Sequence, residues 1–215
     1  MMSLLALSIA AMLPALQQIG SDLDVVNPNS RQLVISIIFL GLAFGQLFFG
    51  PLSDTIGRKP AIYAGYALFI AGSLLSIVAN SFSVMLIGRL LQGLGASAPR
   101  AVTLALVRDR FGGRAMAQIM SFIITFIVLV PMIAPSLGQA ILLYYSWRAI
   151  FVILILLAIL TLSWFAVRIP ETLSAENRAP FSLKRIVSAT VVILKIRPAL
   201  GYTVSAGLIS GAFIG

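Results

Sequence analysis

The side chains that could do chemistry fall into a few short clusters. The segment Gly50 to Pro60 reads GPLSDTIGRKP and carries Asp54, Gly57, Arg58 and Lys59. A second charged group, Asp109 with Arg114, follows about fifty residues later. Opposite charges at the ends of neighbouring helices can pair, so these groups form a candidate latch, with Arg58 to Asp109 as its first expected contact. A third cluster, Arg89, Gln92, Gly93 and Gly95 in GRLLQGLGAS, is followed eleven residues after Arg89 by Arg100. On a helix that spacing puts both arginines on one face, about 16 Å apart along the axis. Pro131, Pro135 and Gly138 form a fourth cluster, in VPMIAPSLGQA.

The chemistry that is missing narrows the choice. The chain has no histidine and no cysteine, which excludes a histidine metal site, a histidine-based triad and disulfides. No phosphate-binding loop is present, and the glycines of GLGAS sit inside an apolar helix rather than after a strand. An enzyme is not expected, nor any metal or cofactor. All six carboxylates lie in loops between apolar runs.

The elements that must position these residues are membrane spans. The chain is 60% hydrophobic and only 10% charged, with a mean hydropathy of +1.07, against about 25% charged for soluble domains. Met1–Ser21, Gln32–Ser53, Pro60–Gly88, Ala115–Trp147 and Ala149–Val167 are free of charge, and a bilayer crossing needs about 20 such residues. A further apolar run is broken only by Arg89 and Arg100. We expect six spans at about 2–20, 31–53, 60–80, 83–107, 115–142 and 147–168 in a unit covering 1–168. A basic central loop, 169–197, is expected to hold an amphipathic surface helix from Phe181 to Ile196, and 198–215 to start a seventh span. Both ends read as those of a fragment.

The net charge of +9 does not point to nucleic acid, because the basic residues are dispersed between spans. With the N-terminus inside, the loops after spans 2, 4 and 6 hold eleven basic residues and the other loops only Arg31 and Arg148. The positive-inside rule therefore predicts a cytoplasmic N-terminus. Gly50 is expected to allow close backbone approach, Gly57 a tight turn, and Arg58 and Lys59 a hold on the anionic inner surface. Ser146-Trp147-Arg148 suggests an interfacial anchor before span 6.

The loop GPLSDTIGRKP resembles the pattern G-x-L-x-D-x-x-G-R-K/R of the major facilitator superfamily, and Arg89, Gln92, Gly93 and Gly95 resemble its R-x-x-Q-G-x-G element. The succession of LPAL at Pro14, the Asp54 loop, LLQGLGA, LVRD, MSF, the span 5 prolines, SWRAIF and PETL resembles the Bcr/CflA-type multidrug efflux subfamily over nearly the whole chain. That resemblance implies an all-α membrane protein. Its fold would be a six-helix N-terminal bundle of two inverted three-helix repeats, completed by a missing C-terminal six-span half. It implies export of drugs or other small amphipathic compounds by alternating access, with proton antiport, in a bacterial inner membrane. Spans 1 and 4 would line the cavity, with Ser8, Ala11, Met12, Leu16, Arg89, Gln92, Ala96 and Arg100 as candidates. Spans 3 and 6 would face lipid. The span 5 element departs from the subfamily's G-P-x-x-G-G, with Ala134 and Gln139 in place of the two flanking glycines, though both prolines should bend the helix. Ala10 stands where relatives usually carry an aspartate, so no span supplies a proton-coupling acid. The alternatives are an uptake facilitator for a small metabolite, or an inactive or self-associating half-transporter.

Overall fold

A computed structural model describes residues 1–174, 176, 178–182, 188, 191–192 and 195–214. Most of the expected amphipathic helix, Phe181 to Ile196, lies outside the described residues. Residues 1–179 form one unit and 180–215 another. The first unit contains α1 (Ser3–Ala10), α2 (Leu16–Asp22), α3 (Leu33–Ile56), α4 (Arg58–Ile77), α5 (Phe82–Arg110), α6 (Gly113–Leu142) and α7 (Arg148–Arg168). The second contains α8 (Arg197–Ile214). Counting α1 and α2 together, six stretches among the described residues are long and apolar enough to cross a bilayer. The fold is an all-α membrane bundle.

Span 1 is not one continuous helix. A proline has no N–H to donate into the preceding turn, and Pro14 sits in a short 3-10 turn, Leu13–Ala15, that separates α1 from α2. At this break the chain packs on α6: a methyl on Gly138 would collide with the Ala11 carbonyl. The two prolines of α6 have no comparable effect. The helix runs from Gly113 to Leu142 through both Pro131 and Pro135, and each is half-buried.

The packing centre is α5, which lies against both α3 and α4. Small residues let the three backbones approach, as they do between helices in lipid. A methyl on Gly41 would meet the Leu90 carbonyl, one on Gly93 the Ile38 carbonyl, and one on Gly95 the Gly65 carbonyl. Helix α4 then packs on α7, where the Tyr66 hydroxyl lies 3.1 Å from Thr161 Oγ1. Span 3 is therefore not simply a lipid-facing helix. One face, including Ala61, Ile62, Gly65, Tyr66, Phe69 and Gly72, is buried. Pro60, Tyr63, Ala67, Ala71, Leu74 and Val78 form an exposed stripe at helical spacing.

Candidate functional site

The turn between α3 and α4 is one residue long. Gly57 has φ 107° and ψ 161°, a conformation open essentially to glycine alone. Such a short turn leaves the first N–H groups of α4 without partners, and a glycine has no side chain to cap them. Glu171, beyond the end of α7, supplies the cap: its carboxylate accepts from Arg58 N and Lys59 N at 3.0 Å each. It also accepts from the N–H groups of Thr172 and Leu173 at 2.9 and 3.1 Å. Burial pushes this carboxyl up, but the N–H groups of Leu173, Lys59, Arg58 and Thr172 outweigh it and hold Glu171 below its ordinary pKa of 4.5. The same segment serves the other helix end, since Ala179 N donates to the Asp54 carbonyl at 3.0 Å.

Arg58 turns inward from this corner. Its side chain is only 8% exposed. Its Nη1 donates to Asp54 Oδ1 at 2.5 Å and to Ser53 Oγ at 2.7 Å, and its Nε to Asp109 Oδ2 at 3.1 Å. Thr172 Oγ1 is 3.4 Å from the same Asp109 oxygen. One guanidinium thus ties the ends of α3, α4 and α5, and a planar fork of donors suits that task better than an ammonium would. Lys59 acts elsewhere than expected: its Nζ donates to the Ala166 carbonyl in the last turn of α7, at 3.0 Å, rather than standing free for the membrane surface. Arg114 is exposed and makes no ion pair among the described residues. Gly50 also departs from expectation, because a methyl built there would meet nothing within 4 Å. Close approach falls instead to Gly45 and Gly41, about one and a half and two and a half turns earlier on α3.

The residues expected to line a cavity mostly fill the core of the half-bundle. Ser8, Met12, Arg89 and Gln92 are each 0% exposed, Ala11 3% and Ala96 5%. Leu16 is half-buried and Arg100 is exposed. Arg89 is held by acceptors from three helices. Its Nε donates to the Val34 carbonyl at 2.9 Å, Nη1 to Gln92 Oε1 at 2.7 Å, and Nη2 to the Ser8 carbonyl at 3.2 Å. Gln92 Nε2 passes the network on to Ser73 Oγ at 2.7 Å. The Phe151 ring centroid lies 5.7 Å from the Arg89 guanidinium carbon. Among the described residues no charged group answers this cation, and it is stabilised by oriented dipoles and a ring face. Although Arg89 and Arg100 share a helix, they differ in setting: one is structural glue and the other open to its surroundings.

The opposite end of the bundle has its own fastening. Trp147 is 0% exposed, packed inside the bundle rather than on its surface, and its Nε1 donates to Asp22 Oδ2 at 2.9 Å. Arg148 Nε and Nη2 donate to the Ile77 and Ala79 carbonyls at 3.0 and 3.1 Å, closing the C-terminal end of α4. Its Nη1 lies 3.8 Å from Asp22 Oδ2.

Sequence reasoning missed Glu171, Ser53, Ser73 and Thr172. Glu171 alone left a signal, being the first acid after span 6 in RIPETL.

The architecture is that of a six-span helical half-bundle whose helix ends are clasped by charged side chains. Its whole length, residues 1–215, matches the model of the Major Facilitator Superfamily. The chain belongs to that superfamily, a family of transporters rather than enzymes. It is 35% identical over 199 residues to a bicyclomycin resistance protein homolog of Haemophilus influenzae, covering 93% of this chain and 50% of the relative. It is 34% identical over 207 residues to an uncharacterized transporter of the same superfamily, YdgK of Bacillus subtilis, covering 95% and 51%. The multidrug resistance protein MdtL of Shigella flexneri is 36% identical over 171 residues, covering 78% and 42%. These relatives fit the suspected Bcr/CflA-type subfamily, and the chain spans about half their length. A solved peptide transporter shares the fold at a TM-score of 0.67 and 17% identity, over 97% of this chain and 43% of the transporter. The human organic anion transporter TETRAN shares it at 0.64 and 20%, over 86% and 50%.

Proposed function

We propose that this chain is the N-terminal half of an exporter of drugs or other small amphipathic compounds, working by alternating access with a second six-span half. The observation that carries the reading is the Arg58 clasp. A guanidinium buried between Asp54 and Asp109 binds three helix ends into one rigid body. Rocking of rigid half-bundles about a midplane site is how such transporters expose that site to each side in turn. Relatives named for bicyclomycin and multidrug resistance support export as the direction. Their being about twice as long supports the second half as partner.

The same reading places the chain in a bacterial inner membrane, N-terminus inside, with the α3–α4 turn and the central loop cytoplasmic. Proton coupling requires a titrating group that faces both sides in turn. Ala10 carries no acid, and the acids that the structure places on span helices rather than in loops, Asp22, Asp54 and Asp109, sit in the last turns of α2, α3 and α5, which leaves that role to the second half. The substrate path then uses the surfaces of spans 1 and 4 that the half-bundle leaves open, around Leu16 and Arg100, rather than the packed Met12 and Arg89.

Cells expressing the complete gene and loaded with ethidium should lose the dye faster than control cells. A protonophore should abolish the difference. Faster accumulation in place of loss would mark an uptake facilitator, and equal rates with and without the gene would refute transport of this class.

A further inference from the structure

An open pocket of about 430 Å³ lies where α2, the end of α6 and the entry to α3 meet, lined by Pro14, Gln17, Gln18, Ser21, Arg31 and Leu142. Its single charge is Arg31, and that charge is unanswered. Arg58 has two carboxylates, Arg148 has Asp22 and two carbonyls, and Arg89 has three acceptors. The Arg31 side chain makes no hydrogen bond or ion pair among the described residues. Its Nε is packed against Gly20, closed to solvent and unpartnered, so an acceptor entering the open pocket would meet the two terminal nitrogens, for which the described residues offer no partner. The side chain passes close over Gly20, where a methyl would collide with its Nε and Cδ. The nearby acid Asp22 is already engaged by Trp147 and Arg148.

We infer that this pocket binds the oxyanion of a small amphipathic compound, a carboxylate or phosphate whose charge meets Arg31. The amides of Gln17 and Gln18 supply neutral donors beside it. Pro14 and Leu142 supply an apolar wall, and the volume suits a ring-sized body. A free anionic compound and the headgroup of an anionic lipid share this chemistry.

Titration calorimetry on the complete gene product in phosphatidylcholine nanodiscs tests the site without any transport step. The probes are salicylate and salicylamide, which differ in the charged head. The native protein should bind salicylate at least about tenfold more tightly. R31Q should erase that preference, and G20A, which keeps the charge but displaces it, should reduce it. Absence of salicylate binding, equal affinity for both probes, or a preference that survives R31Q overturns the inference. A second series with phosphatidylglycerol in the disc identifies the occupant. If that lipid weakens salicylate binding in the native protein but not in R31Q, the headgroup holds the site; if it does not, a free anion does. Failure of dye export with salicylate selectivity intact would sink the transport reading and leave this one standing.

Discussion

Gly57 and Glu171 form one device, and a double-mutant cycle can show it. Alanine at 57 does two things. It forces a residue with a Cβ into φ 107°, ψ 161°, at about 1–3 kcal/mol of strain. It also places that Cβ 2.8 Å from Glu171 Oε2 and 3.2 Å from its carboxyl carbon, so the carboxylate must leave the N–H groups of Arg58 and Lys59. Two charge-assisted hydrogen bonds at 3.0 Å are lost, worth about 2 kcal/mol together at this half-exposed site. G57A should therefore cost about 3–5 kcal/mol and E171A about 2 kcal/mol. The double variant should cost no more than G57A alone, because the cap can be lost only once. Equilibrium unfolding of the complete gene product in mixed micelles measures all three. Additivity of the two single costs to within about 0.5 kcal/mol would refute a shared mechanism. It would mean that the methyl acts through backbone strain alone and that Glu171 stays in place beside it.

Other perturbations give distinct outcomes. Reversal at either D109R or R58D should destabilise by about 2–3 kcal/mol, and the swapped pair should recover only part of it, because an acid at 58 would then face Asp54; a swap no better than either single variant in the same unfolding assay removes the clasp. Glu171 is held below its ordinary value of 4.5, so its contribution is complete above that pH and is lost as pH falls through the lower folded value. E171Q should flatten the acid limb of a stability–pH curve, and an unchanged limb would contradict the cap. Arg89→Met should be tolerated better in stability than Arg89→Lys, by about 1–2 kcal/mol, because a buried ammonium cannot reach all three acceptors that the fork reaches; thermal unfolding midpoints give the ranking. Gly138→Leu should separate α6 from the Ala11 break and loosen span 1, which a cysteine-accessibility scan of residues 10–16 in the cysteine-free chain would report.

Much of this molecule was legible from residues read in order. Hydropathy and charge-free runs predicted six apolar stretches, and the structure has six helical stretches long and apolar enough to cross a bilayer among its described residues, since a helix in lipid must be apolar along its length whatever its neighbours are. The motif at Gly50 to Pro60 marked the corner, and opposite charges at two helix ends singled out Arg58 with Asp109. Pro14 carried the break in span 1, in a signal that a span-length reading passed over.

Tertiary structure decided which partner each polar group has. Arg89 could have faced a cavity by its sequence; only the packing of α1, α3 and α5 shows it bound to the carbonyls of Ser8 and Val34. Every residue carries such a carbonyl, so no side-chain pattern announces which one is used. Glu171 caps a helix that starts 113 residues earlier, a pairing set by where α7 ends against α4 and by nothing local to either. Trp147 looks like an interfacial residue until Asp22 is found beside it. Arg31 is one of two basic residues in the loops on its side, and its place in a pocket, with its Nε packed against Gly20, exists only in the folded chain. Periodicity records what each segment buries; the closing of helix ends depends on which ends meet, and that is a property of the assembled bundle.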